Sequence, residues 1–148
     1  MRQTGYMEIA LEEARAAAAR GEVPVGAVVV QGGAIVARAG NRTRELADPT
    51  AHAEMLAIRE ACAVLAVERL ADADLIVTVE PCAMCAGAIS FARIRRLYFG
   101  APDEKGGAVV NGPRFFGQPT CHHAPEVYGG IAESEAGELL RAFFRERR

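Results

Sequence analysis

Three residues suited to holding a soft divalent ion sit beside two predicted helix starts. His52 lies in His52-Ala53-Glu54, and Cys82 and Cys85 lie in Pro81-Cys82-Ala83-Met84-Cys85. Cysteines three apart on a helix share a face, so both sulfurs can point at one ion. A helix N-terminus also favours thiolate over thiol, because its partial positive charge stabilises the anion. Three protein ligands leave a fourth tetrahedral position open, which marks a catalytic rather than a structural zinc. Zinc can lower the pKa of a water from ~15.7 to ~7. A carboxylate beside that water can then move protons between nucleophile and leaving group. Glu54 fits that role better than it fits a ligand.

The Cys-x-x-Cys pair by itself has two other readings, a thiol redox pair at a helix start or half of a structural zinc finger. A redox pair does not require the upstream His-x-Glu. A finger needs a fourth ligand, for which Cys62, Cys121, His122 and His123 are available. Cys62 falls inside an apolar helical stretch, where a small buried side chain is expected.

The elements that must position these residues follow from periodicity. Tyr6 to Arg20 is alanine-rich, with apolar residues at helical spacing, and Gly21 with Pro24 ends it. Val25 to Val30 and Ala34 to Ala39 flank a Gln31-Gly32-Gly33 turn and predict a hairpin. Asp48-Pro49-Thr50 predicts a helix start with capping side chains, the helix running through Ala66. Leu75 to Val79 predicts a strand. Pro81 then suits the first turn of a helix reaching Ala92. Leu97 to Phe99 predicts a further strand, and residues 101–128 show no firm period. A last helix from Ser134 is expected to carry Leu139, Leu140, Phe143 and Phe144 inward. Strands alternating with helices predict an α/β layered domain around one sheet.

A length of 148 residues without repeats or linkers predicts one domain, residues 1–148. The net charge of −2 gives the whole chain no electrostatic preference for nucleic acid. Basic clusters at Arg93, Arg95 and Arg96, and at Arg141, Arg145, Arg147 and Arg148, read first as solvated surface. Four cysteines are too few for a disulfide scaffold and suit metal or thiol chemistry better. No apolar run approaches the ~20 residues of a membrane span, and no signal-peptide pattern is present, so a cytoplasmic location is expected.

His-x-Glu followed by Pro-Cys-x-x-Cys is the signature of zinc deaminases. The chain resembles the cytidine-deaminase-like superfamily, and within it the bacterial tRNA-specific adenosine deaminases. The resemblance covers nearly the whole length. It runs through Glu22-Val23-Pro24-Val25-Gly26-Ala27, Gly40-Asn41-Arg42, residues 48–54 and residues 78–88. It continues in Phe99-Gly100-Ala101, Asp103, Lys105 and Gly107-Ala108, then Phe143-Phe144-Arg145 with Arg147-Arg148.

The resemblance implies a three-layer α/β/α fold with a central five-stranded mixed sheet, a homodimer, and one zinc ion per subunit. It implies conversion of a wobble-position adenosine of tRNA to inosine with release of ammonia, so the partner expected is a tRNA anticodon loop. Asn41, Val23, Pro24 and Ala53 match substrate-binding positions, and Lys105, Phe144, Arg147 and Arg148 match RNA contacts. Asn41 also reads as a turn residue ending a hairpin strand.

Residues 109–125 depart from the family pattern. His122-His123 stands where an Asn-His pair is expected, and the aromatics of Arg114-Phe115-Phe116 read either as base-stacking or as loop-packing residues, with packing expected. This departure motivates a second reading, deamination of a free nucleobase or nucleoside such as guanine or cytosine. A third reading is a zinc-stabilised interaction or redox protein without turnover.

Overall fold

The computed structural model describes residues 3–147. Five strands form one mixed sheet in the order β2-β1-β3-β4-β5. They are β1 (Gly26–Gln31), β2 (Ala34–Gly40), β3 (Ala73–Val79), β4 (Arg96–Ala101) and β5 (Glu126–Tyr128). β1 runs antiparallel to both β2 and β3, whereas β3, β4 and β5 are parallel.

Both faces of the sheet are covered, and the strand sequences show why. Alternate residues of a strand point to opposite faces, and here both sets are apolar. Ala27, Val29, Leu75, Val77, Leu97 and Phe99 enter a core shared with α2 (Ala53–Leu65) and α3 (Ala83–Phe91). Val28, Val30, Ile76 and Tyr98 enter the opposite core, beneath α1 (Gln3–Ala19) and α4 (Glu133–Glu146). This is the expected three-layer α/β/α arrangement. It explains the continuous apolar runs at β1 and β3, which belong to strands buried on two faces.

The hairpin forms as predicted, with Gly32 and Gly33 at φ 59° and 77°. Those angles suit the left-handed two-residue turn that matches strand twist. α1 lies so close to β1 that a Cβ at Gly26 would come within 2.7 Å of Ala14 N and would overlap the Ala10 carbonyl. Backbone on the opposing side cannot rotate away. Gly26→Ala should therefore cost about 3 kcal/mol, the upper part of the overpacking range, read as a lower midpoint in urea unfolding. An unchanged midpoint would show that α1 can shift off the sheet.

Several boundaries differ from expectation. Asp48 does not cap a helix: its Oδ1 accepts from Thr50 N (2.8 Å) and Thr50 Oγ1 (2.7 Å), closing a local turn. The helix begins only at Ala53, with His52 as its N-cap. Pro81 likewise lies just before the N-cap, Cys82, rather than inside the helix. β5 escaped the periodicity reading because three residues with an exposed–half-buried–exposed pattern carry no detectable alternation. On α4, Phe143 is buried, but Phe144 is half exposed and turns outward, not inward.

Candidate active site

The topology gathers four chain segments at one end of the strands. Because β1 is antiparallel to its neighbours, its start at Gly26 lies beside the end of β2 at Gly40. Its register with β3 puts that start at the C-terminal end of β3. The adjacent C-terminal end of parallel β4 supplies the segment beginning at Ala101. Crevices outside the carboxyl ends of parallel strands are where α/β proteins place ligands. A cleft of about 240 Å³ lies here, lined by Val23, Val25, Asn41, Thr43, His52, Glu54, Val79, Glu80, Cys82 and Asp103.

Two helix N-termini converge on this cleft. His52 caps α2 and Cys82 caps α3, yet neither side chain makes a capping hydrogen bond with its own helix. They face each other instead. His52 Nδ1 lies 3.6 Å from both Cys82 Sγ and Cys85 Sγ. Tetrahedral bonds of about 2.3 Å to sulfur and 2.0–2.1 Å to nitrogen imply an N···S separation of about 3.6 Å, so the donor set fits zinc. Among the described residues, these three alone form a His/Cys/Asp/Glu group able to hold a metal.

The electrostatics agree with the geometry. Hydrogen bonding from the Cys85 thiol, outweighing the cost of burial, lowers the Cys82 pKa to about 4. Cys85, as the donor, is raised by its bond to Cys82 and by burial. His52 is raised through its bond with Cys82. The two sulfurs thus share one proton, which metal binding would displace from Cys85. Glu54 is buried in the second position of α2, and that burial pushes its carboxyl up to about 7. It lies outside the donor group yet lines the same cleft. A carboxyl poised near neutrality suits proton transfer in either direction.

The alternative fourth ligands lie elsewhere. His123 Nε2 is 2.7 Å from the Ile94 carbonyl. Cys121 Sγ lies 3.6 Å from Ser90 Oγ and 3.1 Å from the His123 carbonyl. Cys62 packs against the core but is only half-buried and borders a surface groove, so it is less buried than the helical pattern predicts. His122 is exposed, and none of the four joins the His52–Cys82–Cys85 group among the described residues, so a four-ligand structural finger is not built here.

Of the residues matched to substrate-binding positions, Asn41 and Val23 line the cleft, whereas Pro24 and Ala53 are buried and not among its lining residues. Asn41 keeps both of its readings, since it directly follows β2 and also lines the cleft, with its amide 3.4 Å from Thr43 Oγ1. Lys105 is exposed on the segment after β4. Arg147 holds its guanidinium 3.5 Å over the Phe143 ring, and Phe144 meets Phe143 edge-on. Arg148 lies outside the described residues. The other basic clusters are largely paired: Arg95 with Asp74, Arg96 with Glu126, and Arg141 and Arg145 with Glu138.

Sequence reasoning gave no site role to Val25, Thr43, Val79 or Glu80, and it noted Asp103 only as part of a motif. Their contribution depends on strand order, which spacing does not encode. No residue of 109–125 is among those lining the cleft. Phe115 and Phe116 pack edge to face, with Phe116 against the core, as expected of loop-packing aromatics.

Comparison with known proteins places this geometry in context. Residues 1–101 match the family model for the cytidine and deoxycytidylate deaminase zinc-binding region. The chain is 67% identical over 146 residues to the tRNA-specific adenosine deaminase of Agrobacterium fabrum, covering 99% of this chain and 96% of that one. A solved structure from work on A-to-I editing by tRNA:A34 deaminases at the wobble position superposes with a TM-score of 0.92 at 67% identity. That match covers 93% of this chain and 99% of the other. The guanine deaminase of Nitrosomonas europaea is more distant, at 26% identity and a TM-score of 0.78, covering 95% of this chain and 83% of the other.

Proposed function

The chain belongs to the cytidine and deoxycytidylate deaminase zinc-binding family, and from that premise we propose that it hydrolyses the wobble adenosine of a tRNA anticodon loop to inosine, releasing ammonia. The observation that carries this reading is the three-ligand His52–Cys82–Cys85 centre with Glu54 beside it in one cleft. Near-full-length identity of 67% to a tRNA-specific adenosine deaminase supports the substrate.

His52, Cys82 and Cys85 hold one zinc per chain. Bound there, zinc lowers the pKa of a water to about 7 and makes it a nucleophile at neutral pH. With zinc bound, Glu54 would take one proton of the water as its oxygen bonds to adenine C6 and deliver it to N1. It would then carry the second proton of that oxygen to the amine, so that the C6–N bond breaks and ammonia leaves. Val23, Val25 and Val79 present apolar walls to the base, while Asn41 offers hydrogen bonds to its edge. A cleft of this size admits a single base, so the nucleotide must leave the stack to enter. Anticodon loops present such splayed, single-stranded nucleotides. Lys105, Phe144, Arg147 and Arg148 are assigned to the flanking RNA, through charge and stacking.

We read residues 1–148 as one domain acting in the cytoplasm. Among the described residues no helix is long and apolar enough to cross a membrane. We also propose a homodimer. Phe91, 75% exposed, borders a groove between α2 and α3 with Ile58, Cys62 and Ala88. Glu68, Arg69 and Arg93 line the same groove, so a large exposed aromatic here sits among apolar and charged residues, the mixture of an interaction surface. Phe91→Glu should convert a species of twice the chain mass into one of single mass by sedimentation. An unchanged mass would move the interface elsewhere.

The function is tested by offering the purified protein a tRNA with adenosine at the wobble position beside free adenine, guanine and cytosine, with zinc quantified per chain. Ammonia from the tRNA alone is expected. Release from a free base alone would establish the second reading, whose motivation, the divergent 109–125 segment, lies outside the cleft lining.

A further inference from the structure

Glu80 is a cleft-lining carboxylate, 3% exposed, that the mechanism above does not use. It ends the segment that leads from β3 into the Cys82 turn, and the chain after β4 folds around it. Oε1 accepts from Asp103 N at 2.9 Å and from Asn111 Nδ2 at 2.7 Å. Oε2 accepts from three successive amides, Val109 N at 3.0 Å, Val110 N at 2.9 Å and Asn111 N at 3.1 Å. Successive backbone amides converging on one oxygen form an anion-binding concavity. An ionised carboxylate, which only accepts, satisfies all five donors. The backbone passes so close that a Cβ at Gly107 would stand 2.6 Å from Glu80 Oε2.

This segment carries Asp103 on the cleft wall, with its Oδ1 accepting from Lys105 N and Gly106 N. We infer that Glu80 is a positioning residue: its buried carboxylate fixes the segment 103–111, and through it holds Asp103, the one residue of that segment on the cleft wall, toward the substrate. The inference deepens the proposed deaminase function and rests on it for the substrate side. Its structural side stands on the hydrogen bonds alone.

Glu80→Gln keeps the side chain's size but turns an amide NH₂ toward backbone N–H donors, so the five-bond cluster cannot close. Two readouts test the role. By hydrogen exchange, the amides of Val109, Val110 and Asn111 should open faster in Glu80→Gln, with those of β1 and β3 unchanged. Unchanged exchange at 109–111 overturns the inference. By a double-mutant cycle on tRNA substrate, Glu80→Gln should lower kcat/KM about tenfold in the otherwise native chain but less than about twofold in an Asp103→Ala background, with one zinc per chain throughout. Equal losses in both backgrounds would make Glu80 a general stabiliser and overturn the inference. If Glu80→Gln does not fold, Asn111→Ala, which keeps the carboxylate, is read by the same exchange and the same cycle. A native chain that forms no inosine ends the functional reading, while the exchange result still decides the role of Glu80.

Discussion

Glu54→Gln should abolish most deamination, lowering kcat about 10²- to 10⁴-fold, while each chain keeps one zinc. The glutamine fills the same buried volume at the second position of α2, so neither the helix start nor the cleft wall is disturbed. What disappears is a group that can take a proton from the attacking water and return it to the substrate. In transition-state terms this is a loss of about 2.7–5.4 kcal/mol. Zinc content, measured by atomic absorption alongside single-turnover rates, separates the roles. Because Glu54 lies outside the His52–Cys82–Cys85 donor group, its loss should leave the metal in place. Loss of zinc together with activity would make Glu54 a ligand. Full deamination with zinc retained would remove Glu54 from the proton-transfer role.

Cys85→Ser should do the opposite, releasing the metal and with it both activity and part of the stability. Cys85 is fully buried and its sulfur faces His52 Nδ1, so a serine hydroxyl there replaces a soft thiolate with a weak oxygen donor. Two ligands then remain where three are needed. A ligand that binds only the folded chain stabilises it by about 2.7 kcal/mol at a hundredfold excess over Kd. For a chain of this size that corresponds to about 5–11 °C in Tm. Chelation of the native protein should lower Tm by a similar amount, and the variant should not respond to added zinc. Cys62→Ser, at a half-buried site on the other end of α2, is the control and should retain zinc. Zinc retained in Cys85→Ser at native stoichiometry would remove Cys85 from the ligand set.

The chemistry of this site was legible in the sequence because its ligands are local to two helix starts. His52, Glu54, Cys82 and Cys85 fall within short stretches whose spacing has a direct geometric meaning. What spacing could not show was that two of the ligands are the N-caps themselves. Asp48 and Thr50 mimic a cap in sequence but spend their hydrogen bonds on a turn three residues early. The hairpin, β3, α3 and β4 were legible through their apolar runs and turn residues. β5 was not, since it is short, lies at the sheet edge and buries little.

The cleft was the least legible part. Val25, Thr43, Val79, Glu80 and Asp103 come from four chain segments that only the order β2-β1-β3-β4 brings together. Glu22 and Glu80 carry no sequence mark of burial, yet each accepts backbone amides from a neighbouring loop. Glu22 takes those of Arg44 and Glu45, and Glu80 those of residues 103 and 109–111. A buried carboxylate that organises a loop looks, in sequence, like any surface acid. Phe144 shows the reverse error, because an apolar residue at helical spacing was expected inside and is half exposed.

The most direct test of the account is to run the reaction in ¹⁸O-labelled water on a tRNA bearing adenosine at the wobble position, then weigh the nucleosides released by digestion. Hydrolytic attack at C6 predicts inosine at that position carrying one ¹⁸O, with one ammonia per inosine. Unchanged adenosine in the tRNA, from protein holding one zinc per chain, would contradict it.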